Sequence, residues 1–353
     1  MQNATYKRDD WFKKIIIGFT VFFIAIVILN VIVDPYFHFH KPITAYRLDN
    51  ERYINDGIAR HFEYDAIITG NSLMQNFKPS MYDTLFNANS VKLTFSGAGY
   101  KELWTSLGRS LTYNKNVSKV LIGMDFEDLA RGPQWQRYND YPEYLYDNNI
   151  FNDVEYVLNL EILYHGTFYN LLKTVKGEDS TSFDEYSAWE RPTGAEFALA
   201  ELDWEKVDGS GYKRELSEYD LNLIYENINL NILPVIEENP EVEFVLLIPP
   251  SSIAKWARYS SKDEVEWVID GWKDSLPLLL SFNNVKIYGF DDVYELTHNL
   301  ERYSDEIHYD PGINGWLLQE IASDNHRITL DNYKDYFEGI KKHYSEFDYG
   351  TLK

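Results

Sequence analysis

Nineteen consecutive residues, Ile15 to Val33, carry no charge and are interrupted only by Gly18, Thr20 and Asn30. As a helix this run would extend about 28 Å, close to the thickness of a bilayer core. A helix buried in a soluble core normally keeps a polar face over five turns, and this one has none. It therefore predicts a single transmembrane helix. Beyond it the pattern changes to short apolar runs rich in β-branched residues: Ala66 to Thr69, Val120 to Gly123, Phe244 to Ile248 and Val285 to Tyr288, with a weaker run at Val91 to Phe95. These read as buried strands.

Helical spacing lies between the strands. Leu221, Ile224, Tyr225, Ile228, Ile232, Val235 and Ile236 fall on one helix face, which Pro234 should kink or shorten. A second helix is expected from Asp263 to Leu280, a third from Asp310-Pro311, where a capping Asp precedes a first-turn Pro, and an amphipathic one over Thr329 to Phe347. Strands alternating with helices imply an α/β fold whose parallel sheet, of about five strands, is covered on both faces. Residues 126–218 break the alternation with many Tyr, Trp, Asp and Glu, and read as an insertion or cap. The expected division is a tail over 1–14, the membrane helix over 15–33, a membrane-proximal linker over 34–63, the α/β domain over 64–325 and a terminal helix over 326–353.

Charge fixes direction and narrows the partners. Lys7, Arg8, Lys13 and Lys14 precede the apolar run and Asp34 follows it, so the positive-inside rule leaves the tail in the cytoplasm and the remainder outside. The exit Asn30-Val-Ile-Val-Asp-Pro lacks a small-x-small cleavage site, which favours an uncleaved anchor over a signal peptide. Across 353 residues, 33 basic and 56 acidic side chains give a net charge of −23. Four basic and two acidic residues lie before Asp34, so the remainder carries −25. Such a domain is a poor partner for nucleic acid and an uncomfortable one for any dense polyanion. With no cysteine in the chain, disulfides, thiolate metal sites and a cysteine nucleophile are excluded.

Two segments carry candidate chemistry. Gly70-Asn71-Ser72-Leu73 follows the first strand of the exported part, and ligands of open α/β sheets gather at the carboxyl ends of strands. Ser72 is there either a nucleophile or a cap for the next helix. Near the other end, Asp305-Glu-Ile-His308 offers a base for a serine and a carboxylate to orient that base. Other clusters have weaker claims. His38-Phe-His40 has metal-ligand spacing but no third ligand, Glu127 and Asp128 beside Asp125 form an acidic cluster, and no metal site is expected from either. Trp135, Tyr138, Tyr141, Tyr144, Tyr146 and Trp189 offer flat faces for sugar rings or simply pack a cap. Arg52-Tyr-Ile-Asn-Asp-Gly, before the first strand, is an unusual polar cluster with no role beyond a leash.

Gly70-Asn-Ser72-Leu and Asp305-x-x-His308 resemble the first and last blocks of the SGNH (GDSL-like) hydrolase superfamily. Phe95-Ser-Gly97-Ala-Gly99 resembles its second block, with Gly97 in the glycine position and Gly99 as the alternative. The third block departs from the pattern. Where the family has Gly-x-Asn-Asp, whose Asn donates to the oxyanion, this chain has Gly123-Met-Asp125, and an ionised Asp cannot donate. The resemblance spans Tyr64 to Ile321 as an order of short blocks. It implies a three-layer, flavodoxin-like fold and a Ser72, His308, Asp305 triad with oxyanion donors from the Ser72 and Gly97 N–H groups and, as alternatives, Gly99 or Asn71.

With one anchor and a large exported domain, the chain looks more like the DltD-like and AlgJ/AlgX-like branch than like free secreted esterases. That similarity implies a serine esterase or O-acyltransferase on a cell-surface polysaccharide or other acylated polymer, in a bacterial envelope, needing no cofactor and served by a membrane protein that delivers acyl groups. Two other classes stay open. One is a catalytically inactive binding or adaptor subunit, which the missing Asn favours, and the other is a membrane-anchored receptor for a small ligand.

Overall fold

A computed structural model describes residues 2–138, 141–147, 149–203 and 214–353. The chain forms two compact units, Met1–Phe62 with Asp140–Ser182, and Glu63–Asn139 with Phe183–Lys353. The tract 126–218, expected as one insertion, is shared between them.

The first unit begins with a helix, Gln2–Val33. Its stretch Trp11–Val33 is long and apolar enough to cross a membrane, with a mean hydropathy of 3.0. The helix stops where Asp34 takes a positive φ of 44° ahead of Pro35, which disfavours helix in the residue before it. The Asp34 carboxylate then accepts from the N–H groups of His38, Phe39 and His40 at 3.0, 2.7 and 2.9 Å and from the Tyr156 hydroxyl at 2.8 Å. Residues 34–63 are more structured than a leash. They include a helix, Glu51–His61, whose Gly57 packs so closely on the chain that a Cβ there would stand 2.1 Å from the Tyr36 carbonyl oxygen. The polar cluster at Arg52 lies on this helix, where Asp56 pairs with Arg60 at 2.6 Å and the Arg52 carbonyl accepts from Tyr146. A core of Leu145, Tyr156, Val157 and Ile162 packs against Val27, Val31, Tyr36 and Tyr53.

The second unit is α/β and carries a six-stranded sheet of order β2-β1-β3-β4-β5-β6. The strands are β1 Ala66–Gly70, β2 Ser90–Thr94, β3 Lys119–Gly123, β4 Glu243–Ile248, β5 Val285–Gly289 and β6 Arg327–Ile328. All neighbours run parallel except β6, which is antiparallel to β5. β1 and β2 are buried along their whole length and β4 nearly so, as expected of strands without a solvent face. The chain moves outward from β1 in both directions, which leaves the switch point between β1 and β3, where such sheets place ligands.

Several sequence expectations change in detail. The sheet has six strands rather than about five, because β6 occupies the start of the segment expected as a terminal helix; that helix runs Tyr333–Glu346. The helix crossing Pro234 continues through a π-helical turn, Ile228–Ile232, which absorbs the register change the proline imposes, and Ile224, Ile228, Ile232 and Ile236 stay buried. The helix expected from Asp263 to Leu280 runs Val265–Leu280, and a helix not anticipated from sequence, Ile253–Ser261, precedes it, the two separated where Asp263 adopts a φ of 57°. The helix after Asp310 runs Pro311–Ala322, and the Asp310 carboxylate accepts from the Gly312 N–H at 2.6 Å.

Candidate functional site

β1 ends in Gly70, whose φ of 137° is closed to side chains, and a Cβ there would stand 2.4 Å from Met74 Cγ. The chain then turns into a single 3₁₀ turn, Ser72–Met74. Asn71 caps that turn, its Oδ1 accepting from the Leu73 N–H at 3.1 Å. With the capping role taken by Asn71, the Ser72 hydroxyl is free to point elsewhere, and it donates to His308 Nε2 at 2.8 Å.

His308 sits in a tight loop ahead of the helix Pro311–Ala322. The loop is closed by a bridge between Tyr303 and Tyr309 and by the Ser304 N–H donating to the His308 carbonyl at 2.8 Å. The Asp305 carboxylate turns back on its own backbone, Oδ1 accepting from the N–H groups of Ile307 at 2.9 Å and His308 at 2.7 Å. Its Oδ2 accepts from His308 Nδ1–H at 2.6 Å. Burial alone would raise the Asp305 carboxyl, but the His308 ring and the two backbone N–H groups outweigh it and hold the group below its usual range. Ser72, His308 and Asp305 thus form one hydrogen-bonded chain across 236 residues of sequence.

Two further residues border this chain. Trp189 stands edge-on to the His308 ring at 5.1 Å, its backbone N–H donating to Asn76 Oδ1 at 2.9 Å and its indole N–H reaching the Ser72 carbonyl at 3.4 Å. Arg191 lies over the Trp189 ring at 5.1 Å and reaches Asp305 Oδ2 at 3.4 Å. Trp189 was among the candidate sugar-binding aromatics; Arg191 gives no sequence signal, because a lone arginine in an acidic tract reads as solvated surface.

Around the serine, the Phe95 N–H donates to the Gly70 carbonyl, which holds the Gly97 turn beside β1. Gly97 has a φ of 63°. Among the described residues, neither the Ser72 nor the Gly97 backbone N–H has a hydrogen-bond partner. A Cβ on Gly97 would come within 3.0 Å of Arg137 Cδ and 3.2 Å of its Nη1, so a guanidinium lies against this turn. Gly99 is set back from it, covered by Trp135, and its carbonyl accepts from Leu103 in the following helix.

Asp125 has a different task from the Asn of the family pattern. Its Oδ1 caps the helix Phe126–Ala130 by accepting from the Asp128 N–H at 3.1 Å, and its Oδ2 pairs with the buried Lys255 ammonium at 3.4 Å. Beside it, Arg258 bridges Glu127 at 2.5 Å and Glu306 at 2.8 Å, which ties the end of β3 to the loop holding His308. Burial would raise Glu127, but Lys255 and Arg258 outweigh it and hold the group down at about 2. Burial and the Asp125 charge push Asp128 up to about 8. A cavity of about 30 Å³, room for a single water, lies among Leu73, Asp125, Lys255, Asp291 and Ile307.

The acidic cluster is therefore committed to cations of the protein itself. The pair His38 and His40 is likewise committed within the first unit, His38 Nε2 to Asp153 at 2.9 Å and the His40 ring to the carbonyls of Lys41 and Val31. Among the described residues no group of three or more acidic or histidine side chains is placed to hold a metal. The aromatics divide. Tyr144 and Tyr146 pack against the core of the first unit, and the Tyr141 ring packs tilted against Tyr146 at 4.4 Å. Trp135, Tyr138 and Trp189 lie in the second unit, beside Gly99, Gly97 and His308 in turn.

No protein-family profile and no curated protein sequence matches the chain. Among solved structures, it is similar to a protein from Streptococcus pneumoniae provisionally named a platelet activating factor, with 13% identity over 81% of this chain and 91% of that one and a TM-score of 0.41. A likeness that weak carries no argument about activity.

Proposed function

We propose that this protein is a membrane-anchored serine esterase or O-acyltransferase of the SGNH type, with the three-layer fold of that superfamily, acting outside the cytoplasm on a cell-surface glycan or similar acylated polymer. The observation that carries the reading is the hydrogen-bonded chain from the Ser72 hydroxyl through both ring nitrogens of His308 to Asp305. Ser72 Oγ attacks the acyl carbon while His308 Nε2 takes its proton, and Asp305 fixes the tautomer and stabilises the imidazolium. The oxyanion of the tetrahedral intermediate is held by the unengaged N–H groups of Ser72 and Gly97. The Arg137 guanidinium beside Gly97 takes the place of the donor that Asp125 cannot provide. Collapse of the intermediate leaves the acyl group on Ser72, with His308 returning the proton to the departing oxygen. Water then releases the acyl group as acid, or a sugar hydroxyl takes it as ester.

The anchor reading is supported by the bonds at the helix exit. Asn30 and Asp34 are buried and bonded to Val157, Thr167 and Tyr156, so the last turn is part of the folded first unit, which cleavage would open. The basic residues before the span support an orientation with the second unit outside. A transferase of this kind would draw its acyl groups from a membrane protein that carries them across the bilayer.

The second reading, an inactive binding or adaptor subunit, is favoured by one observation, the commitment of Asp125 to a cap and to Lys255. Turnover of p-nitrophenyl acetate by the full-length protein in detergent separates the two. The esterase reading expects turnover that Ser72→Ala abolishes; turnover indistinguishable between the two proteins, or absent from both while they remain folded, favours the adaptor.

A further inference from the structure

Asn30 lies three residues before the end of the N-terminal helix, about 4.5 Å inside it. Its side chain is buried: Nδ2 donates to the Val157 carbonyl at 2.8 Å, and Oδ1 accepts from the Thr167 hydroxyl at 2.6 Å. One turn further on, Asp34 accepts from Tyr156, and Gly166 meets Pro35 so closely that a Cβ there would stand 2.8 Å from Pro35 Cγ. Within the first unit, residues 156–167 are thus bound to the last turn of the apolar helix, at the depth where that helix would leave the hydrocarbon. A polar side chain at such a depth needs internal partners, and here it has them.

The helical stretch that starts at this contact is inverted. Leu160, Tyr164, Phe168, Leu172 and Val175 recur every three or four residues, one stripe along the helix, and each is between 50 and 84% exposed. The other side, with Ile162, Gly166, Thr167 and Asn170, is the buried one. A soluble surface seldom presents an apolar stripe of this length to water. The spanning helix has its own exposed apolar residues at the same level, Ile28 and Ile32.

We propose that the stripe from Leu160 to Val175 lies in the headgroup and acyl boundary of the bilayer that Trp11–Val33 crosses, so that the first unit rests on the membrane surface. The proposal depends on the reading of Trp11–Val33 as a membrane anchor. Lipid is the occupant because the stripe starts from a contact inside the end of the spanning helix, where lipid is the surrounding medium. The aromatic rings of Tyr164 and Phe168 suit that boundary, and Lys176, exposed at the end of the stripe and 3.6 Å from Glu178, can reach phosphate headgroups.

The chain contains no cysteine, so single sites can be labelled without altering any native residue of that kind. Full-length protein carrying Leu160→Cys, Phe168→Cys, Val21→Cys or the exposed reference Ser281→Cys would be labelled with an environment-sensitive fluorophore. Each would be reconstituted in phosphatidylcholine vesicles and quenched in turn by lipid spin-labelled near the headgroup, lipid spin-labelled deep in the chain, and aqueous iodide. The expected result is strong shallow-lipid quenching and several-fold weaker iodide quenching at Leu160 and Phe168 than at Ser281, with deep-lipid quenching at Val21. Iodide quenching at Leu160 and Phe168 equal to that at Ser281, with Val21 still quenched by lipid, overturns the proposal and leaves the anchor intact. Protection from both iodide and lipid overturns it too, because a protein then covers the stripe. Failure of lipid to quench Val21 removes the anchor and the proposal together.

Discussion

At the scale of single residues, Ser72 and the Asp305-His308 pair stood out in sequence as Gly-Asn-Ser-Leu and Asp-x-x-His, because both motifs are local. What sequence left open was whether Ser72 reacts or caps, and the geometry bears on that through its neighbour: Asn71 takes the cap and Ser72 turns to His308. Arg137, Arg191 and Lys255 were not legible, since each matters through a partner distant in sequence. The roles proposed here make sharp demands. Asp305→Asn should lower ester turnover by about 10³ to 10⁴ with little loss of stability, because the wrong His308 tautomer is then favoured; kinetics beside thermal melts check this. Asp125→Asn, which restores the residue of the family pattern, should not raise activity. The Asn can still cap, but the buried Lys255 ammonium loses a partner, so unfolding free energy should fall by about 1 to 3 kcal/mol in denaturant titration. A gain in turnover from Asp125→Asn would show instead that the position faces the oxyanion. Arg137→Gln should lower kcat by about 10-fold or more while leaving KM nearly unchanged, as expected of a donor used in the transition state.

At the scale of elements, the strands with β-branched runs could be read from sequence because burial on both sides leaves no polar alternation to confuse. β6 could not, since Arg327–Ile328 is two residues long and owes its place to pairing with β5. Residues 34–62 and 140–182 were illegible for a different reason. Their core is built from tyrosines and from buried polar groups such as Asn30 and Asp34, whose satisfaction depends on partners more than 100 residues away. The strand-to-serine turn has its own stringent requirement at Gly70. Gly70→Ala should destabilise the protein by about 2 kcal/mol or more, from the positive φ together with the contact with Met74, and should also suppress turnover by displacing Ser72. The double variant Gly70→Ala with Met74→Ala should recover little stability, because the backbone penalty persists; full recovery would place the whole requirement on the side-chain contact.

For the whole molecule, acidity is the dominant feature, and part of it is turned inward. Burial raises Asp291 from the ordinary carboxylate range to about 7. A carboxyl whose folded pKa lies above its unfolded value favours the folded state at low pH, so its contribution is full below about pH 4 and is lost as pH rises through about 7. Asp291→Asn keeps an oxygen for the Ser251 N–H and removes that loss. The variant should therefore melt higher than the natural protein at pH 8 and differ little from it at pH 4.5, whereas an equal difference at both values would show that the group stays charged. The sign is opposite for Asp305, whose depressed pKa contributes stability at neutral pH that disappears on acidification. Against the net charge of −23, Arg137 beside Gly97 and Arg191 beside Asp305 add positive charge around the proposed site. The central claim is that Ser72 is a nucleophile activated by His308. Exposing the detergent-solubilised full-length protein to a fluorophosphonate and mapping the adduct by mass spectrometry tests it most directly. One adduct is expected, on Ser72, absent from Ser72→Ala and strongly reduced in His308→Ala; a folded protein that takes no label, or takes it on another residue, would contradict a nucleophilic Ser72.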